Sequence, residues 1–148
     1  MPDRNPLDEA VVERLDEHDL RYTSGRRLLV RGLRSATGPV TLPELLDLEP
    51  DLPQSSAYRN LALLEEAGIV RRLVHDASDH ARFELSEPLT GHHHHLICES
   101  CGVMVDIVLD DDIEHALDRS LESMAASEGF SLRHHNIDLF GTCADCRA

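Results

Sequence analysis

The chain contains no lysine and no tryptophan, and aromatic residues make up only 3% of it. With 41% hydrophobic residues among 148, it can still bury a core, which aliphatic side chains must fill. No run approaches the roughly 20 apolar residues that a membrane helix needs. The amino terminus also lacks the apolar stretch of a signal peptide. These absences predict a soluble, cytoplasmic protein with no membrane partner.

Basic charge is scarce as well, and this bears on nucleic-acid binding because DNA attracts Arg and Lys. The formal net charge is −14, and all 14 basic residues are arginines. Eight of them lie within residues 20–72, against six acidic residues, so this window carries 8 − 6 = +2. A basic DNA-binding face is therefore expected in the first half of the chain. Bound cations could partly neutralise the acidic excess elsewhere.

The first half predicts short helices followed by a β-hairpin. Apolar spacing indicates helices at 7–20, 25–36 and 56–67, and a short third helix between the first two and the last that contains Leu45, Leu46 and Leu48. Ser24 and Ser55 are the expected caps of the second and fourth, and Thr41 and Glu44 form a capping box for the third. Segments 69–74 and 81–85 predict the two hairpin strands. Helices followed by a hairpin are typical of a winged helix-turn-helix, with 56–67 as the recognition helix.

The second half predicts a small α/β unit. Strands are expected at 92–98, 103–108 and 136–140, and an amphipathic helix at 111–127. Residues 86–91 have the composition of a hinge. The predicted fold class is therefore α+β, with an N-terminal winged-helix domain at 1–85, a hinge at 86–91 and a second domain at 92–148.

Two cysteine pairs indicate a metal site. Each pair has a two-residue spacer, which lets both thiolates face one ion, and two pairs complete the four-thiolate shell of structural zinc. Such an ion can contribute on the order of 10 kcal/mol to folding. In a cytosolic chain metal is favoured over disulfides. The alternatives are a redox dithiol pair or plain buried cysteines. The pairs are Cys98 with Cys101 and Cys143 with Cys146.

Four consecutive histidines, His92–His95, precede the first cysteine pair. A purification-tag remnant would lie at a terminus, and a solvated polar run is the other plain alternative. In a strand, neighbouring side chains point to opposite faces, so this run can supply two ligands to each of two sites. Imidazole with carboxylate suits zinc, iron, manganese or nickel. A site that reaches back to the hairpin would join both halves of a sensor. The further candidate ligands are Glu84, Asp106, Glu114 and His135.

Five motifs follow one another in a fixed order along the chain. They are Tyr58-Arg59, Glu66-Ala67-Gly68-Ile69-Val70, Phe83-Glu84-Leu85, the segment 92–102 from His92 to Gly102, and the segment 135–146 from His135 to Cys146. This ordered set resembles the ferric uptake regulator (Fur) superfamily over nearly the whole chain. The closing segment is most similar to actinobacterial zinc uptake regulators.

This resemblance implies a homodimer that binds inverted-repeat operator DNA in its metal-loaded form and represses metal-homeostasis genes. It makes 92–148 the dimerisation and metal-binding domain. It implies structural zinc at Cys98, Cys101, Cys143 and Cys146. It implies a second site at His92, His94, Glu114 and His135. It also implies a regulatory site that includes His93 and His95.

The regulatory site departs from the known branches. Iron- and peroxide-type members add a histidine near Pro39, and zinc-type members have Asp and Cys where this chain has Arg71 and Ser86. The predicted set is Glu84, His93, His95 and Asp106, binding Zn²⁺ or Fe²⁺, with Mn²⁺ or Ni²⁺ as further options. His75 or His80 is either a replacement for the absent ligand or a solvated turn residue.

For DNA, Tyr58 and Arg59 are candidate contacts near the start of the recognition helix, although Tyr58 could instead be a core aromatic. Ser55 and Ser56 could bind phosphate at the helix amino end. Arg26 is a further phosphate candidate, followed by Arg21, Arg27 and Arg31.

The predicted function is a metal-dependent transcriptional repressor. Zinc is favoured as the effector, ahead of iron and of iron-based peroxide sensing. A metalloenzyme and a metal-storage protein are the alternatives outside this class. The chain has no nucleophile motif and no His-Glu-x-x-His helix, so we do not expect an enzyme.

Overall fold

The computed structural model describes residues 5–75 and 79–148, and it confirms the predicted α+β class. The elements are α1 (Pro6–Glu17), α2 (Ser24–Ser35), α3 (Leu42–Leu48), α4 (Gln54–Glu66), β1 (Val70–Leu73), β2 (Arg82–Leu85), α5 (Glu87–Thr90), β3 (His94–Cys98), β4 (Met104–Ile107), α6 (Asp111–Ser127), β5 (Asp138–Gly141) and α7 (Ala144–Arg147). The central part of the predicted hairpin turn, residues 76–78, lies outside the described residues.

Helices α1–α4 and the antiparallel β1–β2 hairpin share one aliphatic core. The hairpin docks on the helices through an isolated bridge between Val40 and Phe83. The buried side chains include Val11, Leu15, Leu29, Leu45, Leu61, Leu64, Ile69 and Phe83. This arrangement corresponds to the predicted winged helix.

The residues at the helix N-termini confirm one of the three predicted caps and contradict the other two. The capping box is confirmed, because the Thr41 hydroxyl accepts from the Glu44 amide and the Glu44 carboxylate accepts from the Thr41 amide. The cap at Ser24 is wrong, since the Thr23 side chain accepts from the Arg26 amide one residue earlier. The cap at Ser55 is also wrong. Pro53 precedes α4 with its φ at −66°, which proline favours, and Ser55 lies in the first turn.

The second sheet has the order β4–β3–β5. β3 pairs antiparallel with β4, where His95 faces Asp106, and parallel with β5, where His95 faces Asp138. β3 begins at His94, two residues later than predicted. The predicted hinge contains one helical turn, α5.

The two halves touch at the α2–α3 loop. The Asp106 amide donates to the Thr37 carbonyl at 3.1 Å. A Cβ on Gly38 would lie 2.4 Å from the Met104 carbonyl oxygen, so only glycine permits this approach. The contact holds β4, and with it Asp106, against the winged helix.

Apolar side chains of the second half remain exposed. Helix α6 has no buried residue, and Ile113 and Met124 are more than half exposed. Leu139 and Phe140 of β5 are also exposed. Within the described ranges, no helix has both the length and the apolar character needed to cross a membrane.

An ion pair between Arg31 of α2 and Glu49, which follows α3, makes a contribution to stability that can be measured. Arg31 Nε donates to Glu49 Oε1 at 2.7 Å, and this hydrogen bond lowers the pKa of Glu49. A lowered pKa stabilises the fold above the unfolded value of about 4.3, and the contribution is lost as pH falls through the folded pKa. We expect Glu49→Gln to lower the melting temperature by about 2–4 °C at pH 7.

The difference between Glu49→Gln and the parent chain should shrink as pH falls below the unfolded pKa of about 4.3 and through the lowered folded pKa of Glu49. Thermal melts across pH measure this. Asp47→Asn, at an exposed acid in the last turn of α3, is the control. A pH-independent difference would mean that the ion pair does not contribute.

Candidate metal centres

Three groups of metal-binding side chains form in the second half of the chain and at its junction with the hairpin. In each, four ligand atoms lie within 4.8 Å of one another. We call them the cysteine cluster (Cys98, Cys101, Cys143, Cys146), the second cluster (His92, His94, Glu114, His135) and the regulatory cluster (Glu84, His93, His95, Asp106). These are the three predicted sets, brought together from separate elements.

The cysteine cluster joins the end of β3 to the C-terminal helical turn. Cys98 ends β3, Gly102 follows the first pair at a φ of +77°, and Cys143 precedes α7. The sulfurs of Cys101 and Cys143 are 3.8 Å apart. Amide hydrogens of Cys143 and Cys101 lower the pKa of the Cys98 thiol to about 6. A ready thiolate and three more sulfurs fit the four-thiolate shell that zinc prefers.

The second cluster surrounds the Glu114 carboxylate in the first turn of α6. Its Oε1 lies 2.9 Å from His92 Nε2 and 2.6 Å from His135 Nε2, and its Oε2 lies 3.0 Å from His94 Nε2. Three imidazoles and one carboxylate are a donor set that suits zinc and other divalent first-row ions.

In each of these histidines Nε2 faces Glu114, and the partner of Nδ1 determines whether Nε2 is available to bind an ion. His92 Nδ1 contacts Glu87, and His135 Nδ1 lies 3.2 Å from Asp118. Both contacts direct the ring proton outward and leave Nε2 as the ligand atom. His94 differs, because its Nδ1 accepts from the Ile137 amide at 3.1 Å. The backbone thus fixes the His94 ring through Nδ1, and its Nε2 faces the Glu114 carboxylate.

The regulatory cluster lies where the hairpin meets the second sheet. Glu84 comes from β2, His95 from β3 and Asp106 from β4, with His93 just before β3. Glu84 Oε2 is 3.0 Å from Nε2 of both His93 and His95. Asp106 Oδ1 is 3.7 Å and 3.6 Å from the same two nitrogens. Glu84 and His95 are buried, His93 is partly buried and Asp106 is exposed, so one side of this cluster is open to solvent.

Burial and pairing set the charges of the regulatory cluster. Burial favours a raised pKa at Glu84, but hydrogen bonds from His95 and His93 outweigh it and lower that pKa. Burial favours a lowered pKa at His93 and His95, but Glu84 raises both. Burial raises the pKa of Asp106. Protons and a divalent cation compete for these imidazole nitrogens, so metal affinity should fall in acid.

Sequence reasoning missed the groups that orient the ligands. Asp138 Oδ1 lies 3.2 Å from His95 Nδ1, and the Gly91 carbonyl lies 3.1 Å from His93 Nδ1. Both leave Nε2 facing the cluster. Asp138 and Glu87 are visible in the sequence as acids near predicted ligands, but only the parallel β3–β5 register brings Asp138 to His95.

The positions that depart from the known branches have other contacts. Pro39 offers its carbonyl to Arg82, and the Ser86 hydroxyl donates to the Gly68 carbonyl. Arg71 forms an ion pair with Glu84 at 3.6 Å. His75 stacks on Phe140. Among residues 5–75 and 79–148, the regulatory cluster groups four side chains, and His75 and His80 are not among them.

The candidate DNA contacts lie on α4 and α2. Tyr58 is 63% exposed, which rules out the core-aromatic alternative, and Arg59 and Ser55 are exposed. Ser56 is half-buried. Arg26 instead bridges the two helices, because its Nε donates to Asn60 Oδ1 at 3.1 Å.

The second-rank DNA candidates are mostly engaged within the protein. Arg27 stacks over Tyr22, and Arg31 pairs with Glu49. Arg21 is exposed, and its backbone carbonyl accepts from Arg26 Nη1. The exposed part of α4 is therefore the most available surface for DNA.

Comparisons with known proteins agree on one family. Residues 17–140 match the ferric uptake regulator family. The chain is 31% identical over 145 residues, 95% of this chain and 91% of the other, to the peroxide-responsive repressor PerR of Staphylococcus aureus.

Solved structures give the same result. The Vibrio cholerae ferric uptake regulator superposes with a TM-score of 0.67 at 28% identity, covering 89% of this chain and 98% of that one. The Helicobacter pylori ferric uptake regulator shares the fold with a TM-score of 0.69 at 24% identity, covering 100% and 98%.

Proposed function

The chain belongs to the ferric uptake regulator family, whose members are metal-responsive transcriptional regulators and not enzymes, and we propose that it is a zinc-dependent repressor. In this proposal a metal-loaded homodimer binds inverted-repeat operator DNA and represses metal-homeostasis genes. The winged helix (1–85), the hinge (86–91) and the dimerisation domain (92–148) are its working parts.

The observation that carries the proposal is the placement of the regulatory cluster. Glu84 belongs to the hairpin, whereas His93, His95 and Asp106 belong to the second sheet and its approach. An ion bound by all four would tie the winged helix to the rest of the chain. The ion would thereby select one relative orientation of the two halves.

Contacts within the chain already hold the ligands and the two halves in place before an ion binds. Asp138 and the Gly91 carbonyl hold the two rings with Nε2 toward Glu84. The Thr37–Asp106 backbone contact holds β4 against the α2–α3 loop. When bound, a divalent cation supplies a fixed positive charge that all four ligands contact at once. The two chains of the homodimer each contribute one α4. The relative orientation of these two helices then decides whether they can enter the major groove on neighbouring turns of DNA.

Zinc is supported by the number of side chains in the regulatory cluster. Four ligand side chains suit the tetrahedral preference of zinc, and Pro39 offers no side-chain donor where a fifth ligand would come from the winged helix. The closing motif resembling zinc uptake regulators points the same way. In the same proposal, the cysteine cluster holds structural zinc and the second cluster holds another divalent ion.

An iron-based peroxide sensor is the second candidate. It is favoured by the mixed imidazole and carboxylate donors, which also suit iron, and by the similarity to a peroxide-responsive repressor. It requires Fe²⁺-loaded protein to release DNA on exposure to peroxide. Zinc-loaded protein would not respond.

Elemental analysis and DNA binding test the proposal together. We expect about one zinc per chain to survive mild chelation while further metal exchanges. Fluorescence anisotropy on the protein's own promoter should show that affinity follows the exchangeable metal. In the loaded state, Arg59→Gln should weaken binding and reduce the salt slope by about one.

Arg119→Gln, on α6, is the control for Arg59→Gln and should leave DNA affinity unchanged. A metal panel of Zn²⁺, Fe²⁺, Mn²⁺ and Ni²⁺ identifies the effector. DNA binding that ignores every added metal would refute the sensor. Metal binding without any DNA binding would favour a storage protein.

A further inference from the structure

Arg71 stands directly across the hairpin from a ligand of the regulatory cluster. In the β1–β2 register, Arg71 is the partner of Glu84. Its Nη1 lies 3.6 Å from Glu84 Oε1. The Glu84 side chain is only 8% exposed and that of Arg71 38%, so the pair is partly shielded from water.

The two oxygens of Glu84 therefore face different partners. Oε2 faces Nε2 of His93 and of His95, both at 3.0 Å. Oε1 turns the other way, toward the guanidinium. Val70, Phe83 and Leu85 anchor the hairpin in the core, and the buried Glu84 side chain has little space in which its carboxylate can turn.

We infer that Arg71 is a specificity-determining residue of the regulatory cluster. By holding Oε1, it keeps Glu84 as a one-oxygen ligand and so keeps the number of protein ligand atoms close to four. A four-atom shell suits zinc, whereas Mn²⁺ prefers six oxygen-rich ligands and gains from a two-oxygen carboxylate. The inference rests on the proposed function of this cluster as the metal site.

A second effect of Arg71 must be separated from this one. Its positive charge repels any divalent cation, and this lowers the affinity for all such ions by nearly the same factor. The number of Glu84 oxygens, by contrast, matters differently for each ion. The ratio of Mn²⁺ to Zn²⁺ affinity therefore reports the inferred role, and the absolute affinities do not.

The test is a competition titration with chromophoric chelators on the full chain, using Zn²⁺ and Mn²⁺ separately. His135→Ala in every sample disables the second cluster, so that the regulatory cluster is the exchangeable site. Arg71→Gln removes the charge and keeps a similar length. We expect both ions to bind more tightly, and Mn²⁺ to gain about tenfold more than Zn²⁺.

Arg72→Gln is the matched control, because the neighbouring exposed arginine pairs across the hairpin with Phe83. It should leave the affinity ratio unchanged. In the Mn²⁺ complex, electron paramagnetic resonance should differ between the parent and Arg71→Gln, since the ligand shell changes.

An equal gain for both ions, or no gain, would overturn the inference and leave the proposed function standing. The proposed function fails in a different way: Zn²⁺ binding would then survive alanine at both His93 and His95. The two failures are therefore distinguishable in one set of titrations.

Discussion

Alanine at both His93 and His95 is expected to abolish the metal dependence of operator binding. The two rings supply half of the regulatory ligand atoms, and both contact the same Glu84 oxygen at 3.0 Å. Without them, Glu84 and Asp106 remain as two carboxylates, which hold a divalent ion weakly. Metal-driven coupling in regulators is typically worth 5–150-fold, and we expect a gain of about 100-fold to be lost.

The measurement is anisotropy on promoter DNA, with and without the exchangeable metal. A double variant of exposed histidines outside the three clusters, His18→Ala with His134→Ala, controls for loss of imidazole. The tight zinc should be unchanged in both proteins, because the cysteine cluster is separate. DNA affinity that still follows added metal in the His93/His95 variant would place the sensor elsewhere.

Cys143→Ser is expected to remove the tight zinc and to unfold the C-terminal part of the second domain. Cys143 follows β5, which pairs with β3 on its edge, and its amide donates to Cys98 Sγ at 3.4 Å. Helix α6 contributes no buried residue that would compensate within one chain. Structural zinc is worth on the order of 10 kcal/mol, which is comparable to the whole stability of a domain.

Zinc content, circular dichroism melts and size-exclusion chromatography measure the effect of Cys143→Ser. We expect zinc to fall to trace levels and the dimer to dissociate, because β5 and α6 carry the exposed apolar side chains Leu139, Phe140 and Ile113. Thr142→Ser, at the exposed neighbour, is the control. Retention of one zinc per chain with an unchanged melt would show that Cys143 is not a ligand.

The elements that the sequence predicted best are those with a strong local pattern. The bounds of α6 were predicted at both ends, since its apolar side chains recur at helical spacing and Gly129 follows at a φ of +78°. The capping box at Thr41 is likewise local, because both partners lie within one turn. Local patterns failed at α4, where Pro53 starts the helix without a side-chain cap and the serines offered a plausible false cap.

The predicted metal-ligand sets divide in the same way, because local spacing grouped only some of their members. The two-residue period of an extended chain separated His92 and His94 from His93 and His95, although the first two residues of the run precede β3. Spacing also grouped the cysteines. Assignment of Glu114 and His135 to one set, and of Glu84 and Asp106 to the other, came from the family resemblance and not from spacing.

The sequence by itself therefore determined the class of fold, the family and the types of ligand, because these depend on short-range patterns and ordered motifs. Only the tertiary structure decided which neighbouring groups orient the ligand side chains and which form ion pairs with them. Asp138 reaches His95 through a parallel strand pairing, and Arg71 reaches Glu84 through the hairpin register. Such contacts join residues that are distant in the chain, and their distances follow from packing and strand register, which local pattern does not encode.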